Sequence, residues 1–240
     1  MTSERVRMDL RKRIVRMAEG EGVTHFGVGD LSEAYGFIVA QGGAMVAEYP
    51  ISISIGITLP KAIVDQLPRR MERAIALTCR HHGYEVINQR LDLIASLISG
   101  FVQGAGYRAL PIAASGRVDN ERLSGIFSHK LAAHLAGLGW IGKSCLVITP
   151  KDGPRVRWAT ILTDAPLNTS GKAIREQCGD CEMCVNICPV KAFTGRAFQE
   201  GEPREARYDA KKCDEYFKAM EKSGQIRLCG MCIYACPYGK

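Results

Sequence analysis

The sequence has no apolar segment long enough to cross a membrane, and no apolar stretch near its amino terminus of the kind that forms a secretory signal. It also has no run of basic residues alternating with aromatic ones, although lysine and arginine outnumber aspartate and glutamate by 32 to 25 and give a formal net charge of +7. These absences argue against a membrane partner, an exported protein and a nucleic-acid-binding stripe. They predict a cytoplasmic protein with an ordinary solvated surface.

Cysteine, by contrast, is abundant, with 10 in 240 residues. In a reducing compartment such a number favours metal ligands over disulfides. Eight of the ten lie between Cys178 and Cys236, and the change in composition falls near residues 165–177, beside the turn-rich stretch DAPLNTSGK. We therefore predict two domains, residues 1–168 and residues 169–240.

Apolar periodicity predicts an α/β arrangement for the first domain and an α+β fold class for the whole chain. Segments with apolar residues at helical spacing are 4–19, 68–82, 91–102 and 124–136. Apolar or β-branched runs bounded by turn residues predict strands. These are 25–31, 51–59 and 107–115, followed by a pair, 145–150 and 155–163, around the turn PKDGPR.

The cysteine spacing is typical of bacterial ferredoxins that carry two clusters. A C-x2-C-x2-C-x3-C-P motif begins at Cys178, and a C-x2-C-x3-C-P motif begins at Cys229, with Cys213 before it. In such ferredoxins the cysteine before the proline ligates the other cluster. A zinc ribbon, the main alternative, pairs two C-x2-C hairpins without Cys-Pro. We predict two [4Fe-4S] clusters, the first held by Cys178, Cys181, Cys184 and Cys236, the second by Cys188, Cys213, Cys229 and Cys232.

The stretch AGLGWIGKS, residues 136–144, matches two phosphate-binding patterns formally: G-x-G-x-x-G and G-x-x-x-x-G-K-S. Both need a strand before the loop and a helix after it, so that a helix amino terminus faces the phosphates. Here the predicted helix comes first and the strand second. The loop is therefore not predicted to bind phosphate in this way. Its glycines suit a helix C-cap and a backbone that a large flat ligand can approach.

The segment HKLAAHLAGLGWIGKSCLVITP, the following LTDAPL and the two Cys-Pro motifs resemble the epoxyqueuosine reductase family, whose members are cobalamin-dependent iron–sulfur reductases related to the reductive dehalogenases. The resemblance covers about residues 112–238. It implies a nitroreductase-like first domain that holds cobalamin base-off over the nearer cluster, followed by a ferredoxin-like domain. The glycine loop would then contact the corrin through Gly137, Leu138, Gly139, Trp140, Ile141, Gly142 and Lys143. Lys143 would reach a propionamide or phosphate of the cofactor's tail, or be an ordinary surface lysine.

The resemblance also implies a reaction. An external donor of the ferredoxin or flavodoxin type would supply electrons, the clusters would relay them to cobalamin, and a nearby acid would protonate a small-molecule or modified-nucleoside substrate. The family's acid lies in a VDTGPL-like segment, for which this chain has PIAASGRVDNERL. Asp119, His129 and Tyr107 are the candidates for that acid.

Three expectations concern the whole molecule. Many members of the family continue into a helical-repeat domain that helps to hold tRNA, whereas this sequence ends at Lys240, so tRNA is not the expected substrate. By analogy with nitroreductase-like domains, a homodimer is expected. Two alternative functions remain open: an electron-transfer protein that reduces a partner such as a corrinoid protein, and a shortened epoxyqueuosine reductase.

Overall fold

The computed structural model describes residues 3–240, with side chains described from residue 9 onward. Its contacts divide the chain into two compact units that interleave along the sequence. The first contains the residues up to Thr58 together with Asn88–Leu138 and Arg157–Ile174; the second contains Leu59–Ile87, Gly139–Val156 and Arg175–Lys240. The domain boundary between residues 168 and 169 stays a prediction. The second compact unit extends beyond it and takes in two earlier segments.

The first unit is built on a four-stranded sheet. Its strands are β1 (His25–Asp30), β2 (Ile51–Thr58), β3 (Ala109–Ile112) and β6 (Val156–Thr163), and their order in the sheet is β1–β2–β6–β3. In β1 and β2, Val28 lies opposite Ile53 in an antiparallel pair, and in β3 and β6, Leu110 lies opposite Leu162 in another. The central strands β2 and β6 are buried along most of their length, which suits their β-branched and apolar sequences.

Helices of the first unit complete its core. They are α1 (Ser3–Gly20), α2 (Tyr35–Gly42), α3 (Ala44–Ala47), α6 (Val86–Gly104) and α7 (His129–Leu135). Helix α7 packs on β1 and β2. A Cβ at Gly27 of β1 would lie 2.8 Å from the Ala136 Cβ, so glycine in the strand lets the end of α7 approach closely. One core cluster contains Leu31, Ile38, Val46, Ala47, Ile112, Phe127, Ala132 and Leu162.

The second unit has short elements around its cysteine-rich segments. The helices are α4 (Lys61–Asp65), α5 (Arg73–Arg80), α8 (Met183–Asn186), α9 (Ala210–Lys222) and α10 (Met231–Ala235), with a π-helical turn, His81–Glu85, after α5. A small antiparallel hairpin is formed by β4 (Trp140–Ile141) and β5 (Val147–Ile148). No helix within residues 3–240 is both long and apolar enough to span a membrane.

The mixture of helices and sheet confirms the α+β class, while two local predictions were wrong. The segments 145–150 and 155–163 do not pair as a hairpin, because β5 pairs with β4 and β6 lies between β2 and β3. The helix predicted over 124–136 begins only at His129, because Ser128 is its N-cap and accepts a hydrogen bond from the Leu131 N–H.

Candidate metal centre

Four of the eight cysteines form one group. The pKa of the Cys184 thiol is raised to about 11. Burial is the largest cause, and negative charge on Cys178, Cys236 and Cys181 contributes to the same rise. Such mutual repulsion requires the four sulfur atoms to lie close together. They are the four residues assigned to the first cluster. A bound iron cluster would supply the positive charge that lets all four exist as thiolates.

The other four cysteines form a second group. Burial raises the pKa of Cys232 strongly, and Cys229 and Cys213 are the next largest causes, with Cys188 also contributing. The pKa of Cys213 is raised by burial and then by Cys229 and Cys188. Cys184 also acts on Cys232, so the two groups are neighbours within the second unit. The assignment of each cysteine to one of the two clusters stays a prediction. That assignment requires these four cysteines to lie near one another.

The chemistry of the donor set favours iron–sulfur clusters over zinc. The eight thiols lie in two motifs that each end in Cys-Pro, which is the spacing of two-cluster ferredoxins, whereas a zinc ribbon pairs two C-x2-C hairpins.

Turns and caps hold the cysteines in place. The Cys178 N–H donates to Glu176 Oε1 at 2.7 Å, and the Cys181 N–H donates to the Cys178 carbonyl at 2.9 Å. Gly230 is the N-cap of α10 with φ of 68°, a left-handed conformation that lets the chain turn sharply between Cys229 and Cys232. Each cysteine loop is thereby closed by local backbone hydrogen bonds or by a glycine.

The glycine loop is packed against its own chain. Every residue from Gly139 to Cys145 is buried. A Cβ at Gly139 would overlap the Ile148 carbonyl, and one at Gly142 would lie 2.7 Å from Ile148 Cγ1 and 3.3 Å from Cys178 Sγ. These two glycines are therefore required by internal packing, and their contact with a corrin stays a prediction.

The start of the loop is different. Gly137 and Leu138 are half-buried, and Gly137 closes α7 with φ of 72° while the Leu138 N–H donates to the Ala133 carbonyl at 3.0 Å. This is the helix C-cap expected from the sequence. The corrin-contacting role of these two residues stays a prediction. Trp140 and Ile141, which lie in β4, are buried.

Lys143 is an unusual lysine because its side chain is only 8% exposed. Its contact with a propionamide or phosphate of a cofactor stays a prediction.

A magnesium-dependent phosphate loop has no support. Asp164, the acidic residue that would bind the metal, accepts hydrogen bonds from the Arg108 backbone N–H at 2.8 Å and from its Nε at 2.9 Å. These contacts keep the pKa of Asp164 below its ordinary value. The loop also follows a helix, as predicted, so no helix amino terminus faces it.

Two of the three candidate acids have structural partners. Asp119 Oδ1 accepts hydrogen bonds from the backbone N–H groups of Glu121 and Arg122, both at 2.8 Å, and so closes its own turn. His129 Nε2 donates to the Ala113 carbonyl at 2.9 Å, and its Nδ1 lies 2.9 Å from the Thr160 hydroxyl. Burial lowers the pKa of His129, so the ring is neutral. This geometry favours a structural role for both.

Tyr107 precedes β3 and is half-buried. Its backbone N–H donates to the Val102 carbonyl at 3.3 Å, and among the described side chains none binds its hydroxyl. The hydroxyl is therefore available to a ligand, unlike the His129 ring. The three candidates come from different elements, and their catalytic role stays a prediction.

Sequence reasoning missed two residues beside the cysteines. Arg155 is only 3% exposed; burial raises the pKa of Cys236, and the Arg155 charge opposes that rise. Burial also raises the pKa of Cys213, and Tyr208 opposes that rise. A charged residue at the start of an apolar strand was the available signal for Arg155. No spacing rule points to Tyr208.

Comparison with known proteins agrees with this metal centre. A family model described as a 4Fe-4S double cluster binding domain matches residues 177–239, which include all eight cysteines. The epoxyqueuosine reductase of Pseudomonas aeruginosa is 31% identical over 169 residues, covering 65% of this chain. The chain is therefore similar in sequence to an epoxyqueuosine reductase. It spans 41% of the length of that curated relative.

Solved structures show the same fold. An epoxyqueuosine reductase solved with an epoxyqueuosine-modified tRNA stem loop matches with a TM-score of 0.65 and 19% identity, covering 96% of this chain and 65% of that one. A reductive dehalogenase described as B12-dependent matches with a TM-score of 0.65 and 17% identity, covering 95% of this chain and 31% of that one. At these identities the likeness is one of fold. The relation to both groups of reductases was the one predicted from the sequence.

Proposed function

We propose that this epoxyqueuosine reductase relative is an oxidoreductase that relays electrons through two [4Fe-4S] clusters to a corrinoid, where a substrate is reduced. The observation that carries the proposal is the match of a 4Fe-4S double cluster binding domain to residues 177–239, which contain all eight cysteines. When bound, the clusters would carry single electrons and the corrinoid would supply low-valent cobalt. The donor would be an external ferredoxin or flavodoxin.

The chain's own contribution is to hold and shield these groups. The eight cysteines provide thiolates in a buried setting, where the surrounding dielectric and hydrogen bonds set the cluster potentials. Lys143 offers a buried cation to the polar tail of the corrinoid. The half-buried Gly137 and Leu138 are the part of the glycine loop that we assign to contact with the corrin.

Cobalamin titration of the anaerobically reconstituted chain tests the corrinoid part of the proposal. We expect the cobalamin absorption spectrum to shift on binding. Lys143→Met should weaken binding about tenfold or more, since a charge-assisted hydrogen bond contributes about 1.5–3 kcal/mol.

Lys151→Met is the matched control, because Lys151 is exposed in the same unit and its substitution should leave cobalamin affinity unchanged. A cobalamin spectrum identical with and without the protein would contradict the corrinoid part. Normal iron content with no cobalamin binding would favour the alternative, an electron-transfer protein that reduces a separate partner.

Reduction of epoxyqueuosine in tRNA is a second candidate. It is favoured by the 31% identity to the Pseudomonas aeruginosa epoxyqueuosine reductase and by the fold shared with the enzyme solved with a modified tRNA stem loop. Incubation of the reduced, cobalamin-loaded chain with an epoxyqueuosine-containing stem loop tests it directly. Formation of queuosine would establish this substrate. If the stem loop is unchanged although cobalamin is bound and reduced, epoxyqueuosine in tRNA is not the substrate. The substrate would then be a different small molecule or modified nucleoside.

A further inference from the structure

An exposed face of helix α5 lies beside the segment that leads into the second group of cysteines. We propose that this face is the docking surface for the electron donor, and that the donor is an acidic one-electron carrier of the ferredoxin or flavodoxin class. The inference rests on the proposed function, because it names the place where that relay takes up its electrons. The α5 face consists of Arg70, Met71, Arg73, Ala74 and Leu77.

The α5 face exposes two large apolar side chains among arginines. Met71, in the turn before α5, is 53% exposed, and Leu77 is 60% exposed. Arg73, Leu77 and Arg80 are spaced four and three residues apart, so they lie on the same side of the helix. Methionine and arginine are enriched in protein–protein interfaces. This composition indicates a surface that binds a protein.

Positive charge dominates around these apolar side chains. Residues 61–80 contain five basic and two acidic residues. Both acidic side chains of that segment are already in ion pairs, with Arg155 at 3.4 Å and with Arg69 at 2.8 Å. Among the side chains of residues 9–240, no carboxylate forms an ion pair with Arg70 or Arg73. The α5 face therefore carries positive charge that suits a partner with a negative surface.

Hydrogen bonds join this face to the cysteine-rich segment of the same unit. Arg73 Nη1 donates to the Gly224 carbonyl at 3.4 Å, and Arg80 Nη1 donates to the Arg227 carbonyl at 2.9 Å. Arg227 comes two residues before Cys229, which is assigned to the second cluster. A carrier docked on α5 would therefore lie beside the loop that supplies a ligand of that cluster.

Packing beneath the face brings the other end of that loop close to the same segment. Helix α10, which contains Cys232, packs against α4 and against the 3₁₀ turn Leu67–Arg69. A Cβ at Gly230 would lie 2.9 Å from Leu67 Cδ1, so the glycine lets the cysteine loop approach the turn. The segment that presents the α5 face is thus in contact with both sides of the second cluster's loop.

The composition of the face favours an acidic protein over two other occupants. A second copy docked symmetrically through α5 would bring arginine against arginine, which like charge opposes. Nucleic acid would pair with the arginines but would leave Met71 and Leu77 uncovered, because its interfaces are more polar. Redox carriers form small interfaces that charge attraction steers. Each encounter moves one electron from the carrier, which is oxidised, to the second cluster, which is reduced.

Binding and reduction by a purified flavodoxin test the proposal on the full reconstituted chain. Arg73→Glu reverses one charge, and Leu77→Ser removes an exposed apolar side chain that the core does not need. At about 50 mM salt, we expect Arg73→Glu to raise the Kd for oxidised flavodoxin and to slow reduction by flavodoxin hydroquinone, each about tenfold. Leu77→Ser should change both in the same direction. Reduction by dithionite should be unchanged in both variants, and the effect of Arg73→Glu should shrink at about 0.5 M salt.

Arg16→Glu is the matched control, because Arg16 is exposed on α1 and the change in net charge is the same. An equal loss of flavodoxin affinity in this control would overturn the inference, since net charge would then be the cause. Unchanged affinity and rate in both α5 variants would also overturn it, as would slower reduction by dithionite in both. Weaker binding of a tRNA stem loop with unchanged flavodoxin binding would assign the face to RNA instead. Failure of the unsubstituted chain to bind iron would overturn the proposed function.

A second measurement leaves the α5 face intact. Lys61 is exposed at the start of α4, which packs against α5. A carbodiimide joins a lysine amine to a carboxylate that touches it, so we expect it to link Lys61 to flavodoxin. Lys61→Arg keeps the charge and removes the amine, so this cross-link should disappear while flavodoxin affinity stays the same. Cross-links formed at Lys12 of α1 and not at Lys61 would contradict the inference.

Discussion

At the residue scale, Gly142 sets how closely the hairpin approaches Cys178. Gly142→Ala adds a Cβ that would lie 2.7 Å from Ile148 Cγ1 and 3.3 Å from the Cys178 sulfur. We expect the variant to lose about half of its iron, because the first cluster needs Cys178, and to lose about 1–3 kcal/mol of folding free energy through overpacking. Iron and sulfide analysis with chemical denaturation measures both.

Gly100→Ala is the control for that substitution. Gly100 lies within α6, and an added Cβ would have no neighbour within 4 Å. It should keep full iron content and gain up to about 1 kcal/mol from higher helix propensity. Full iron retention in Gly142→Ala would show that close approach of the loop to Cys178 is dispensable.

His129 makes stability depend on pH. Burial keeps the pKa of His129 in the folded chain below the ordinary value of about 6.5. Near and below pH 6.5 the unfolded chain therefore binds a proton at this residue more readily than the folded chain does. The free energy of unfolding does not depend on His129 protonation above about pH 6.5, and it falls as the pH drops below that value, by at most about 1.4 kcal/mol per pH unit. His129→Asn should show a smaller drop in Tm between pH 7.5 and 5.5 than the unsubstituted chain. An equal drop in both would show that His129 takes a proton in the folded state.

At the scale of elements, the N-cap of α9 positions Cys213. Asp209 Oδ1 accepts hydrogen bonds from the N–H groups of Lys211 and Lys212 at 3.0 and 3.1 Å. Asp209→Ala should cost about 1 kcal/mol and fray the helix turn that holds Cys213. We expect the second cluster to be lost to a chelator faster than the first, as followed by the two cluster signals.

Ser128→Ala provides the comparison, since Ser128 caps α7 in the same way at 3.3 Å. It should cost a similar free energy and leave both clusters equally resistant to the chelator. If both capping variants lost the clusters at the same rate, global stability rather than the local turn would control cluster retention.

Elements with a strong local pattern could be predicted from the sequence. The bounds of β1 and β2 and the length of α1 follow from alternation and helical spacing, which are properties of neighbouring residues. The pairing of β5 with β4 could not be predicted from the sequence. The turn after β5 locally favours a hairpin between β5 and β6, whereas in the structure β6 lies in the larger sheet between β2 and β3. Strand partners depend on long-range packing that periodicity does not encode.

In the candidate metal centre, too, the features set by local sequence could be predicted and those set by tertiary structure could not. The eight cysteines and their grouping follow from ferredoxin spacing, because ligands of one cluster must lie on tight loops. The burial of Arg155 within the same unit as Cys236 does not, since it depends on tertiary structure. The close packing of Gly139 and Gly142 against Ile148 and Cys178 could not be predicted either, because the neighbours of a glycine are set by tertiary structure.

At the scale of the whole molecule, the cysteine-rich segment depends on earlier parts of the chain. The second compact unit includes Leu59–Ile87 and Gly139–Val156. Within it, a Cβ at Gly153 would meet the Tyr238 backbone, and one at Gly230 would meet Leu67 at 2.9 Å. A fragment of residues 169–240 should therefore fail to hold two stable clusters, as measured by iron content after anaerobic gel filtration. Full iron content in that fragment would show that the predicted boundary at 168/169 defines an independent domain.

The anaerobic redox titration of the reconstituted chain with one equivalent of cobalamin, followed by electron paramagnetic resonance, tests the central claim most directly. The account predicts about eight irons per chain, signals from two reduced [4Fe-4S] clusters, and a cobalt signal altered by the protein that disappears as the clusters are reduced. A chain that binds zinc in place of iron, or a cobalt signal identical to that of free cobalamin throughout the titration, would contradict it.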